Sequence, residues 1–66
     1  MYFTSIEPTE HYLQHHQHEV SWSEVVAVIF STKNPRKKGN KYEIDGKYYI
    51  LFEIKDSILY VINAKR

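Results

Sequence analysis

Sixty-six residues with a net charge of +1 make one small domain, able to bury only about 60% of the unfolded chain's surface. The absence of cysteine excludes a disulfide scaffold, a thiolate zinc site and a thiol nucleophile. No apolar run approaches the ~20 residues that span a bilayer, and the N-terminus lacks the apolar stretch of a signal peptide, so a soluble, cytoplasmic chain with no membrane partner is expected.

Met1 to Ser5 reads as a short extended arm. Glu7-Pro8 predicts a helix start, because proline suits the first helical position and an acid there complements the helix dipole. The first helix is expected from about Pro8 to His18, with a narrow apolar face that includes Tyr12 and Leu13. Ser21-Trp22-Ser23-Glu24 has the spacing of a capping box, and Val20 ahead of it is placed to pack on Val25. The second helix then carries Trp22, Val25, Val26 and Ile29 at i, i+3, i+4 and i+7, a continuous core stripe. It is expected to stop before Asn34-Pro35, since the residue ahead of proline is pushed out of the helical region.

Lys33, Arg36, Lys37, Lys38 and Lys41 follow as a basic loop that holds five of the nine cationic residues and no acid. Such a segment can set up a local positive patch that attracts polyanions, and charge alone describes a solvated loop equally well. From Lys41 the hydropathy period becomes two. Lys41 to Ile44 is one strand, Asp45-Gly46 a two-residue type I′ hairpin turn, Lys47 to Ile54 a second strand and Ser57 to Asn63 a third, after a turn near Lys55-Asp56. The expected fold is α+β: two short N-terminal helices packed on a three-stranded antiparallel β-meander, in one domain spanning 1–66. Both faces of the last two strands are apolar or aromatic, so one face is left over, with Tyr49, Leu51, Leu59 and Val61 as candidates. That face suits a partner protein, a second copy of the chain or a missing stretch of chain.

Four histidines lie within eight residues. On a continuous helix His11, His15 and His18 share a face, while His16 points elsewhere. A pair at i, i+4 can chelate zinc or nickel, but the spacing brings no carboxylate with an obvious role. Neither a metal site nor a cofactor is expected, and adventitious nickel binding is the stronger expectation. His18, at the helix–turn junction, is the candidate for proton transfer near neutrality; its alternative is a C-terminal helix residue that interacts with the dipole.

Phe3, Glu7-Pro8, His18-Glu19-Val20-Ser21-Trp22 with Glu24, and Ile62-Asn63-Ala64-Lys65 follow one another in order. In these positions the chain resembles BrnT-type toxins, small ribonucleases of the RelE-like superfamily. Those proteins open with an aromatic residue and Asp-Pro, turn through Lys-His-Gly-Val-Ser-Phe, and close on Ile-Ser-Ala-Arg. The resemblance implies the toxin of a type II toxin–antitoxin system, an endoribonuclease that cleaves mRNA, on or off the ribosome, without a metal, and that is neutralised by a cognate antitoxin. It implies His18 for proton transfer or phosphate contact and Lys65 for the phosphate; Arg66 joins them on charge. Lys33, Arg36, Lys37, Lys38 and Lys41 would supply the RNA-binding field, with Tyr42, Tyr48 or Tyr49 stacking on bases. A non-catalytic RNA- or protein-binding module of the same fold, self-associating through the leftover face, is the alternative.

The sequence departs from the family pattern at four points. Glu19 replaces the turn glycine, so a left-handed backbone there would be strained unless the turn differs. Gln17 replaces a lysine, and Lys65 replaces an arginine, which forfeits bidentate phosphate recognition. The family continues into a C-terminal helix, whereas this sequence stops at Arg66, which fits a shortened chain or a compact relative with weak or no catalysis.

Overall fold

The computed structural model describes residues 2–66, so of the N-terminal arm only Met1 lies outside the described residues. In chain order the elements are β1 (Ser5–Pro8), α1 (Glu10–His15), α2 (Trp22–Ser31), β2 (Arg36–Lys38), β3 (Lys41–Asp45), β4 (Tyr49–Lys55) and β5 (Ile58–Lys65). All five strands form one mixed sheet in the order β1-β5-β4-β3-β2, with β1 parallel to β5 and every other pair antiparallel. The α+β architecture with two helices is as expected. The sheet is larger than the expected meander, because the N-terminal arm and the basic loop each contribute an edge strand.

Pro8 ends β1 rather than opening a helix. Its missing N–H costs nothing on an edge strand, and Thr9 takes the cap instead. The Thr9 hydroxyl accepts from the Tyr12 N–H at 3.2 Å and donates to the Val61 carbonyl at 2.7 Å, which ties the start of α1 to β5. α1 also stops three residues short of His18. After His15 the chain winds through hydrogen-bonded turns in which the His16 and Gln17 amides both donate to the Tyr12 carbonyl, and Glu19 and Val20 to that of His16. These turns bring Val20 into the core, where its carbonyl accepts from the buried Tyr12 hydroxyl at 2.6 Å. Glu19 does not adopt a positive φ, so this turn differs from one built on glycine and carries no strain at that position.

α2 forms as its sequence dictates. The reciprocal capping box between Ser21 and Glu24 is complete, and Val25 and Ile29 are fully buried. Trp22 and Val28 pack against the core, while Val26 is half-buried. The helix ends at Ser31, before Asn34-Pro35.

The hairpins differ from expectation in their turns. Between β3 and β4, Asp45 pairs with Tyr49, so Gly46-Lys47-Tyr48 forms a three-residue loop, and neither Asp45 nor Gly46 has a positive φ. This loop turns Tyr48 toward the helices. The two-residue turn with positive φ at both positions is Asp56-Ser57, at 54° and 65°, closed by the Lys55–Ile58 pair. A third turn, Gly39-Asn40, joins β2 to β3 and uses the positive φ of Gly39, +67°.

In β5 the register shifts between Leu51↔Asn63 and Phe52↔Val61, leaving Ile62 as the extra residue of a bulge. The bulge lets Leu59, Val61 and Ala64 all face the helices beside Ile50 and Phe52, and all five are fully buried. Leu59 and Val61 are therefore core residues and not part of a leftover face. The opposite face carries Tyr49, Leu51 and Tyr60, each half-buried among its neighbours.

Candidate functional site

Two charged neighbourhoods occupy opposite sides of the sheet. The first lies at the helix junction, where β5 ends. The Arg66 Nε donates to the Glu19 carbonyl at 3.0 Å, and the Arg66 amide donates to the Glu19 carboxylate at 3.3 Å, a contact between residues 47 apart in sequence. The Arg66 guanidinium lies over the Tyr48 ring at 5.3 Å, with the Lys47 ammonium 5.5 Å from the same ring. The Tyr48 hydroxyl donates to the Glu24 carboxylate. That bond, the Ser21 hydroxyl and amide, and the nearby Arg66 charge hold the Glu24 pKa down at about 2, while the same hydrogen bond raises that of Tyr48. His18 sits in the turn beside this cluster with an exposed ring.

The second neighbourhood is on the outer face. Glu43 is buried in its strand and accepts from the Tyr49 hydroxyl at 2.8 Å and from Arg36 Nε at 3.1 Å. Arg36 also approaches Asp45 at 3.8 Å. The hydrogen bond to Glu43 and burial raise the Tyr49 pKa. The Lys65 ammonium lies 5.6 Å from the Tyr49 ring. Thr32, Asn34, Pro35, Arg36, Glu43, Ile44 and Asp45 line a cleft of about 260 Å³ here. Its two carboxylates are already served by Arg36, a poor setting for a phosphate.

Adjacent positions on a strand face opposite ways, so Lys65 and Arg66 diverge: Lys65 stays on the outer face and Arg66 turns to the helix junction. Of the residues expected to act together, the fold brings Arg66 to the turn that holds His18 and leaves Lys65 across the sheet. Lys37 and Lys38 project from β2 as exposed residues of an edge strand, and Lys33 is exposed in the loop after α2. Lys41 is half-buried and reaches Asn40 Oδ1 at 3.5 Å. Tyr42 stacks on Phe52 with ring centroids 5.5 Å apart and joins the edge of the core, which removes one face of its ring from any base. Tyr48, committed to Glu24 and Arg66, is not free to stack either.

The histidines also group differently from the helical-face expectation. Because α1 ends at His15, His16 turns back over the helix, with its Nε2 3.3 Å from that of His11. The His15 ring lies 4.8 Å from that of His11, and His18 stands apart. Burial, then the neighbouring His11, lowers the His16 pKa. Among the described residues no three His, Cys, Asp or Glu side chains converge as a metal-binding group, and no helix is long and apolar enough to cross a membrane.

The Tyr48–Glu24–Arg66 constellation has no linear signal beyond the capping-box glutamate, since it joins a helix start, a hairpin loop and the last residue. No family model matches the chain, and no curated protein and no solved structure matches it.

Proposed function

We propose that this chain is a compact endoribonuclease of the toxin type, acting on RNA at the end of β5 where it meets the helix junction. The observation that carries the reading is the return of Arg66 to Glu19, which sets a guanidinium beside the turn holding His18. In this reading His18 accepts the proton of a ribose 2′-OH. The 2′ oxygen bonds to the adjacent phosphorus, the P–O5′ bond breaks, and the products are a 2′,3′-cyclic phosphate and a 5′-hydroxyl that takes up a proton. Arg66 leaves Glu19 to meet the charge that develops on the phosphate oxygens, the contribution that matters most in such a step. Lys65 and the β2 cations Lys37 and Lys38 draw the RNA strand in. An antitoxin with acidic side chains that covers Arg66 and β2 would silence the protein, and the cytoplasm is the compartment in which mRNA and antitoxin meet.

A second reading is favoured by the same contacts. Arg66 already has Glu19 and Tyr48 as partners, and Lys65 lies on the other side of the sheet. A binding module with no turnover needs only the exposed cations of β2. Incubating purified protein with mRNA in EDTA, with and without ribosomes, separates the two. Cleavage lost in His18→Ala and Arg66→Ala supports the nuclease. Salt-sensitive RNA binding over intact RNA supports the module.

A further inference from the structure

We propose that His11 and His16 form a binding site for a zinc ion along α1, with His15 as the third ligand and water as the fourth. The Nε2 atoms of His11 and His16 face each other at 3.3 Å. Two nitrogens bound to zinc at 2.0–2.1 Å with a tetrahedral angle between them stand about 3.3–3.4 Å apart, whereas a right angle brings them to about 2.9 Å. The spacing matches that of two tetrahedral ligands and lies at the long end of hydrogen-bonding distance, whose N–H···O mode is near ~2.9–3.0 Å.

The other side of the His16 ring supports this assignment. His16 Nδ1 and Asn63 Oδ1 are both buried without a hydrogen-bond partner of good geometry, yet Asn63 lies close enough to act on the imidazole as an acceptor. Each supplies what the other lacks. An Nδ1–H that donates to Asn63 leaves the lone pair on Nε2, aimed at His11. A carbonyl oxygen behind a ligating histidine fixes its tautomer and ring direction in the way metal sites require.

His15 follows His11 by four residues on the same helix face, and its exposed ring lies 4.8 Å from the His11 ring. It is not yet converged with the other two, so it turns in on binding. Glu19 acts on His16 as a nearby negative charge, but its carboxylate is engaged by the Arg66 amide and is left out of the site. The ion would close a loop from the first turn of α1 to the residue just past its end. A helix of six residues is too short to be stable alone, and zinc would clamp it against β5 through Asn63. This assignment does not depend on the nuclease reading, since EDTA would strip the clamp and leave His18 and Arg66 in place.

The test uses tag-free protein, titrated calorimetrically with zinc sulfate and examined with cobalt in place of zinc. The expected result is one zinc per chain at micromolar affinity or tighter and the intense visible absorption of tetrahedral cobalt. Binding should be lost in His11→Gln and in His16→Gln, weakened about 10-fold in Asn63→Leu, and unchanged in His18→Gln. Affinity in the millimolar range, a pale octahedral cobalt spectrum, or equal loss on replacing His18 would overturn the proposal. Circular dichroism in EDTA checks that each variant folds. His11 is exposed, so its variant carries the test should His16→Gln unfold.

Discussion

The helix junction and the cationic edge strand carry charge in opposite ways. At the junction Glu19, Glu24, Tyr48 and Arg66 satisfy one another, and the cluster is anchored to the buried Tyr12–Val20 hydrogen bond. In β2, Lys37 and Lys38 are exposed and their strand holds no acid. Charge held in a hydrogen-bonded cluster shapes the fold and sets proton affinities. Charge left in water contributes little to stability and remains available to a polyanion. A cationic edge strand also discourages strand-to-strand aggregation.

The contrast predicts a graded series. Tyr12→Phe leaves the Val20 carbonyl buried without its donor and should cost about 1–3 kcal/mol in urea unfolding. That is the largest effect expected at the junction. Ser21→Ala removes the cap of α2 and should cost about 1 kcal/mol by the same measurement.

Glu24 gives a pH signature. Its folded pKa is depressed from 4.5 to about 2, chiefly by the Tyr48 hydroxyl and Ser21, so the unfolded chain binds the proton more readily. The stability Glu24 contributes is fully present above about pH 4.5 and is lost as the pH falls toward 2. Tyr48→Phe should flatten that part of the stability profile, and a curve superimposable on the wild type would break the assignment.

At the other extreme, Lys37→Gln with Lys38→Gln should change stability by no more than about 0.5 kcal/mol. The same pair should lower the dependence of log RNA affinity on log salt by about 0.7 per cation removed. An unchanged slope would return β2 to an aggregation-guarding role.

Local signals made part of this molecule legible in its sequence. The Ser21–Glu24 capping box and the Val25–Ile29 face of α2 rest on contacts between near neighbours and formed where expected, while the three alternating strands formed with bounds shifted by one or two residues inside a larger sheet. Pro8 was ambiguous because proline is tolerated both at a helix start and at the end of an edge strand; the parallel pairing of β1 with β5, more than fifty residues away, decided it. Long-range packing also chose between the turns: Asp45-Gly46 has the stronger local signal, but docking Tyr48 on Glu24 required a longer loop there. The bulge at Ile62 has no local mark, yet it decides that Leu59, Val61 and Ala64 all reach the core.

For the site, the sequence pointed to His18 and Lys65 through a resemblance and to Arg66 through its charge, and it could not say which way successive residues at a strand end would face. Because the bulge resets the alternation, Lys65 lies over Tyr49 and Arg66 over Tyr48. The regrouping of His11, His15 and His16 was hidden for a related reason: helical periodicity holds only while the helix lasts, and α1 ends at His15.

Cleavage of an end-labelled mRNA by tag-free protein in EDTA is the most direct measurement of the junction's chemistry. Fragments ending in a 2′,3′-cyclic phosphate are predicted, with the rate reduced at least about 100-fold in His18→Ala and likewise in Arg66→Ala. RNA that stays intact with and without ribosomes, or cleavage indifferent to both substitutions, would contradict a catalytic role for this end of the sheet.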